Sequence, residues 1–117
     1  MAFKFEQLKI WQIAMELGED INKAADSFPG KEIYNLGSQI RRAADSIALN
    51  IAEGSTGQTD PEQRRFLNYA NRSTLEVVTC LIKAKRRKYI EEKRFYEFYT
   101  TCESLSRMIL AFIKKIR

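Results

Sequence analysis

Over 117 residues the chain spends only two prolines and five glycines, and between them its apolar residues recur three and four positions apart. That pattern puts apolar side chains on one face of a helix, and the scarcity of turn residues leaves few places to end one. Long helices are therefore expected, and 117 residues is the size of one small domain. The whole of residues 1–117 is read as a single four-helix-bundle domain.

Helix 1 is predicted from about Phe5 to Ser27. Leu8, Trp11, Met15, Gly18, Ile21, Ala25 and Phe28 form one strip, and Ile10, Ile13, Leu17 and Ala24 form a second beside it. Pro29-Gly30 ends it. Helix 2 is predicted from Lys31 to Glu53, with Gly54 as a left-handed cap and Ile33, Leu36, Ile40, Ala44, Ile47 and Ile51 on its core arc. Gln39, Arg42, Ser46, Asn50 and Glu53 make a polar stripe at the flank of that arc. Ala48, Leu49 and Ala52 fall on the far side and suggest an outer apolar patch for a partner helix.

Ser55 to Thr59 reads as a loop. Asp60-Pro61-Glu62-Gln63 then reads as a helix start, with Asp60 as N-cap. Helix 3 continues through Phe66, Ala70, Ser73, Val77, Cys80, Leu81 and Ala84. The chain turns near Arg87 to Ile90, and helix 4, from about Glu91, carries Phe95, Phe98, Cys102, Leu105, Ile109, Phe112 and Ile116 at heptad spacing. Short connections between four helices imply an all-α, antiparallel up-down-up-down bundle.

Charge is divided unevenly. Residues 1–58 hold six basic and eight acidic side chains, while residues 59–117 hold fourteen and seven, so the formal net charge of +5 belongs to the second hairpin. Lys83, Lys85, Arg86, Arg87, Lys88, Lys93 and Arg94 crowd its tip near Tyr89 and Tyr96, a cluster that phosphates would neutralise. Arg64, Arg65 and Arg72 form a second, weaker basic patch. Arg41 and Asp45 are spaced as an ordinary i,i+4 ion pair.

Enzymatic readings find little support. With no histidine in the chain, His-dependent triads, imidazole bases and Glu-x-x-His metal sites are excluded. Cys80 and Cys102 form no CxxC and read as buried thiols. Glu16, Asp20, Glu53 and Glu103 have no recognised metal spacing, and Gly54-Ser-Thr-Gly57 lacks the P-loop lysine. No catalytic residue, metal or cofactor is expected. No stretch approaches the roughly 20 apolar residues of a membrane span, and the first residues lead into no signal-like apolar core, so a cytoplasmic location is expected.

The run Gln39-Ile-Arg-Arg-Ala-Ala-Asp-Ser-Ile-Ala-Leu-Asn-Ile-Ala-Glu-Gly54 resembles the signature of four-helix-bundle proteins encoded within intervening sequences of bacterial 23S ribosomal RNA genes. Phe5 to Gln12 is similar to that family's opening, and Arg65-Phe66-Leu67, Ala84-Lys85 and Tyr89-Ile90 are similar to its second half. A more distant likeness is to the accessory protein of diversity-generating retroelements. The resemblance implies a bacterial, cytoplasmic antiparallel bundle assembling as a ring-like homopentamer. By analogy with the retroelement protein, it also implies a basic assembly that binds nucleic acid. Where the family commonly has Leu-Gly before the tyrosine, this chain has Arg87-Lys88, which asks Lys88 to take a costly backbone conformation or shifts the turn.

Two functions are expected on this basis. In one, a non-catalytic homo-oligomer binds RNA or DNA through the second hairpin, with Gln39, Arg42, Ser46, Ala48, Leu49, Asn50, Ala52 and Glu53 setting helix or subunit register. In the other, the same assembly is an adaptor for a protein partner.

Overall fold

The computed structural model describes residues 2–56 and 59–116. Among them lie four α-helices and no strand: α1 (Lys9–Ala25), α2 (Leu36–Gly54), α3 (Asp60–Arg86) and α4 (Glu92–Lys114), with single 3-10 turns at Lys4–Gln7 and Gly30–Glu32. The 27 residues of α3 span about 40 Å at 1.5 Å per residue, close to the whole 43 Å length of a rod 24 by 22 Å across. Each helix packs mainly on its chain neighbours, α2 on α3 most extensively, and α1 meets α4 least. This is the antiparallel four-helix bundle expected of the sequence.

The core runs along the axis. Ile40, Ala44, Ile47 and Ile51 of α2, Ala70, Val77 and Leu81 of α3, and Cys102, Leu105 and Ile109 of α4 are buried. The heptad face of α4 is thus buried from Phe95 to Ile109, while Phe112 and Ile116, near and past the end of the helix, are only half-buried. In α1 the buried line is Ile10, Ala14, Leu17, Gly18, Ile21 and Ala25, which lies between the two predicted strips. Met15 is exposed, because α1 touches α2 on one side and α4 on the other and its core line falls between those contacts.

Three helix starts differ from expectation. Helix 1 begins at Lys9, because Leu8 is extended and the residues before it form a 3-10 turn. Helix 2 begins at Leu36, five residues late, and Ile33 is 59 % exposed instead of in the core. The cause is Glu32: its carboxylate accepts from the Leu36 amide (3.3 Å) and the Asn35 side-chain amide (3.0 Å), capping α2 from outside. The N-cap of α3 is Thr59, which is extended and accepts from the Glu62 amide, while Asp60 is already helical.

Gly54 was expected as a left-handed cap, but it is the last helical residue of α2 and its φ lies outside the left-handed region. Its use is close approach: a Cβ there would lie 3.2 Å from the Phe66 Cβ. Of the Ser55–Thr59 loop, Gly57 and Gln58 lie outside the described residues.

Polar clips join successive helices. Ser46 Oγ donates to Ser73 Oγ between α2 and α3 (2.6 Å), and Ser106 Oγ donates to Asn71 Oδ1 between α4 and α3 (2.6 Å). Between α1 and α2, Asn22 donates to Asp45 (2.9 Å), and Arg41 donates to the Asn22 carbonyl (3.0 Å) and to Asp26 (2.8 Å). The expected Arg41–Asp45 pair is thereby replaced, since both side chains find partners across the helix interface.

Candidate nucleic-acid interface

The turn between α3 and α4 is a Schellman motif. The Tyr89 amide donates to the Ala84 carbonyl (2.9 Å) and the Lys88 amide to Lys85 (3.0 Å). The left-handed position falls on Lys88, with φ of 64°, the one positive-φ non-glycine residue among those described. The turn stays in place, and a lysine carries its strain.

Glu32, 4 % exposed, holds this turn to the α1–α2 connection. Its Oε2 accepts from the Tyr89 hydroxyl (2.7 Å) and from Arg87 Nη1 (3.1 Å), while Oε1 serves the start of α2. The tyrosine hydrogen bond is the main cause holding the Glu32 carboxyl below its ordinary value, and the same bond pushes the Tyr89 phenol up. Phe28 packs against the Tyr89 ring at 5.5 Å and covers the latch.

The seven cations of the tip therefore divide. Arg87, expected as a phosphate ligand, is tied to Glu32. Lys85 Nζ lies over the rings of Phe95 (4.8 Å) and Tyr96 (4.9 Å), and Arg94 lies over Phe98 (4.2 Å) and pairs with Glu97 (3.1 Å). Arg87 and Lys85 are engaged by neighbours that helix packing brings within reach, and Arg94 by residues three and four positions on in its own helix. The side chains of Lys83, Arg86, Lys88 and Lys93 are exposed and have no hydrogen-bond or ion-pair partner among the described residues.

The two basic patches share one face of α3, with the exposed Glu76 between them. Turning about 100° per residue, Arg65, Arg72 and Lys83 fall within about 20° of each other, and Arg86 within a further 60°, on the exposed arc of α3. The row covers about 30 Å of helix. At its far end Arg64, Arg65 and Arg72 line a shallow depression with Asn68 and Tyr69, and Arg65 pairs with Glu62. Spacing along the chain hid this union, because ten residues without a cation separate Arg72 from Lys83.

On α2, Gln39, Ser46 and Asn50 are half-buried on the flank toward α3, whereas Arg42 and Glu53 face solvent. The expected outer apolar patch is not formed. Ala48 is 7 % exposed, one turn beyond Ala44 on the side that meets α1, and Ala52 is half-buried. Only Leu49 of the three is exposed. Exposed apolar side chains also lie in the groove between α3 and α4, where Leu75, Val78 and Tyr99 border a cavity of about 340 Å³ that Glu103 and Arg107 line as well. Helical spacing alone did not bring these residues together, since they stand on two helices.

Cys80 and Cys102 are buried free thiols. Burial pushes both up, Cys102 to about 12. No group of three or more acidic or cysteine residues suited to a metal ion occurs among the described residues. No helix there is long and apolar enough to cross a membrane.

Comparison with solved structures finds a close match in fold. A Bacteroides thetaiotaomicron protein of unknown function from the S23 ribosomal protein family superposes with a TM-score of 0.83 at 20 % identity, over 90 % of this chain and 95 % of that one. No functionally curated protein matches the chain. The family model for 23S rRNA-intervening sequence proteins matches residues 6–111, so α1 to α3 and most of α4 fall within the matched span, and the chain belongs to the 23S rRNA-intervening sequence protein family.

Proposed function

We propose that this chain is a non-catalytic, cytoplasmic subunit of a homo-oligomer, a pentamer by family likeness, that binds RNA or other nucleic acid along its second hairpin. The observation that carries this reading is the row formed by Arg72, Lys83 and Arg86 on the exposed arc of α3, with Glu76 between Arg72 and Lys83, extended at the far end by the Glu62-paired Arg65 and continued at the turn by Lys88 and Lys93. Phosphates repeat along a strand, and a 30 Å row of cations on a rigid helix meets several at once. Repetition around a ring multiplies such contacts through effective concentration. Arg87, Lys85 and Arg94 support the row by shaping the tip.

Fluorescence anisotropy with a labelled single-stranded RNA across a salt series tests this. The triple variant Arg72→Glu, Lys83→Glu, Arg86→Glu is expected to lower the slope of log affinity against log salt by about 2. Failure of the unaltered protein to bind at low salt overturns the proposal. Light scattering tests the assembly: the expected mass is near five times the 13.6 kDa of one chain, and a monomer overturns it.

The adaptor reading is favoured by the apolar α3–α4 groove at Leu75 and Tyr99, which are 54 % and 38 % exposed. It is the surviving reading if nucleic acid does not bind and Leu75→Asp abolishes a stoichiometric protein complex.

A further inference from the structure

Tyr34 is 95 % exposed, more than any other large apolar side chain among the described residues. Its ring has no aromatic, cation or hydrogen-bond partner among those residues. The backbone on either side is nevertheless pinned. Asn35 donates its amide to the Glu32 carbonyl (3.1 Å) and its side chain to the Glu32 carboxylate (3.0 Å). Ile33 donates to Gly30 (3.1 Å), and Gly37 packs so tightly on the Glu32 carbonyl that a Cβ there would lie 2.9 Å from it. A pinned turn thus holds an aromatic ring out into water, with little backbone entropy left to lose on contact.

The neighbourhood is cationic. Lys31 is exposed on the same turn, and Glu32, two residues before Tyr34, is bonded to Arg87 beside the unpartnered Arg86 and Lys88. An exposed ring at an end of the bundle that also carries exposed cations suits an anionic ligand with flat aromatic faces, and Ile33, also exposed beside it, adds apolar area to the same contact. Bases offer such faces only where they are unpaired. Resting on the nucleic-acid reading above, we infer that Tyr34 is a stacking platform for an unpaired base and that the latched end of the bundle prefers single-stranded over duplex nucleic acid. Lys31, Arg86 and Lys88 contact the flanking phosphates.

The test is anisotropy with a labelled single-stranded RNA and a blunt duplex of equal length. The proteins compared are the unaltered chain, Tyr34→Ala, Tyr34→Phe and Tyr34→Leu, with circular dichroism verifying the fold of each. Tyr34→Ala and Tyr34→Leu are expected to weaken single-strand binding by about tenfold, Tyr34→Phe to preserve it, and duplex binding to change little in any variant. Salt-dependent binding that Tyr34→Ala leaves unchanged overturns the stacking role while the cationic row on α3 stands. Retention by Leu as full as by Phe also overturns it, since contact would then be apolar without stacking. Absence of binding by the unaltered protein overturns both.

Discussion

Glu32 shows how one side chain governs several others. Its two carboxylate oxygens accept four hydrogen bonds, one of them from an amide at the start of α2 and two from the α3–α4 turn. Because its folded value is depressed, Glu32 adds stability that is complete above the ordinary 4.5 and is lost as pH falls through the lower folded value. Tyr89, pushed up, adds stability that is complete below the ordinary 10.0 and is lost as pH rises above it. Urea unfolding across pH is expected to show both losses, and Glu32→Gln to flatten the acid limb; an unchanged acid limb contradicts the latch. Lys88 is the second instructive residue. Replacing it with glycine removes the left-handed strain, and Lys88→Gly is expected to raise unfolding stability by about 0.5–1 kcal/mol, read from the urea midpoint. The missing glycine, set against the family pattern, pointed either to strain at Lys88 or to a shifted turn, and the strain is what is found. The Glu32 latch was not legible in the sequence, because its partners stand 55 and 57 positions away.

At the scale of elements, helix ends and crossings depend on what the neighbouring helix leaves room for. Two glycines inside helices make the point. Gly18 in α1 faces the Ala44 carbonyl and Asp45 at 3.7 Å from an added Cβ, an ordinary contact, while Gly37 in α2 would meet the Glu32 backbone oxygen at 2.9 Å. Gly18→Ala is therefore expected to stabilise the protein by up to about 1 kcal/mol through helix propensity. Gly37→Ala is expected to destabilise it by roughly 1–3 kcal/mol, since backbone must move. Thermal unfolding of both variants checks the opposite signs. The start of α2 belongs to the same lesson: apolar spacing extended the helix back through Ile33, but a carboxylate caps it at Leu36. Periodicity reports which residues suit a helix, and capping decides where the helix begins.

For the molecule as a whole, burial of both thiols offers a probe of cooperativity. Cys80 and Cys102 are 1 % and 0 % exposed, on α3 and α4. Labelling by a thiol reagent is expected to be negligible in the native protein and to appear for both thiols together at the unfolding midpoint; labelling of either ahead of it would reveal local opening of the second hairpin. The arrangement of charge is also a property of the whole. Composition placed the positive excess on the second hairpin, but folding drew Arg87 to Glu32, set Lys85 and Arg94 over aromatic rings, and aligned Arg72 with Lys83. By itself the sequence determined the four helices, the buried faces of α2 and α4, the buried thiols and the half of the chain that is basic, because periodicity and composition are local or summed quantities. Only the tertiary structure decided which cations stay available, where α2 begins, and that Tyr34 stands in water. Arg87 and Lys85 find their partners on other elements, where side chains meet only when the helices pack, and the start of α2 is set by the placement of the Glu32 carboxylate, which apolar spacing does not register.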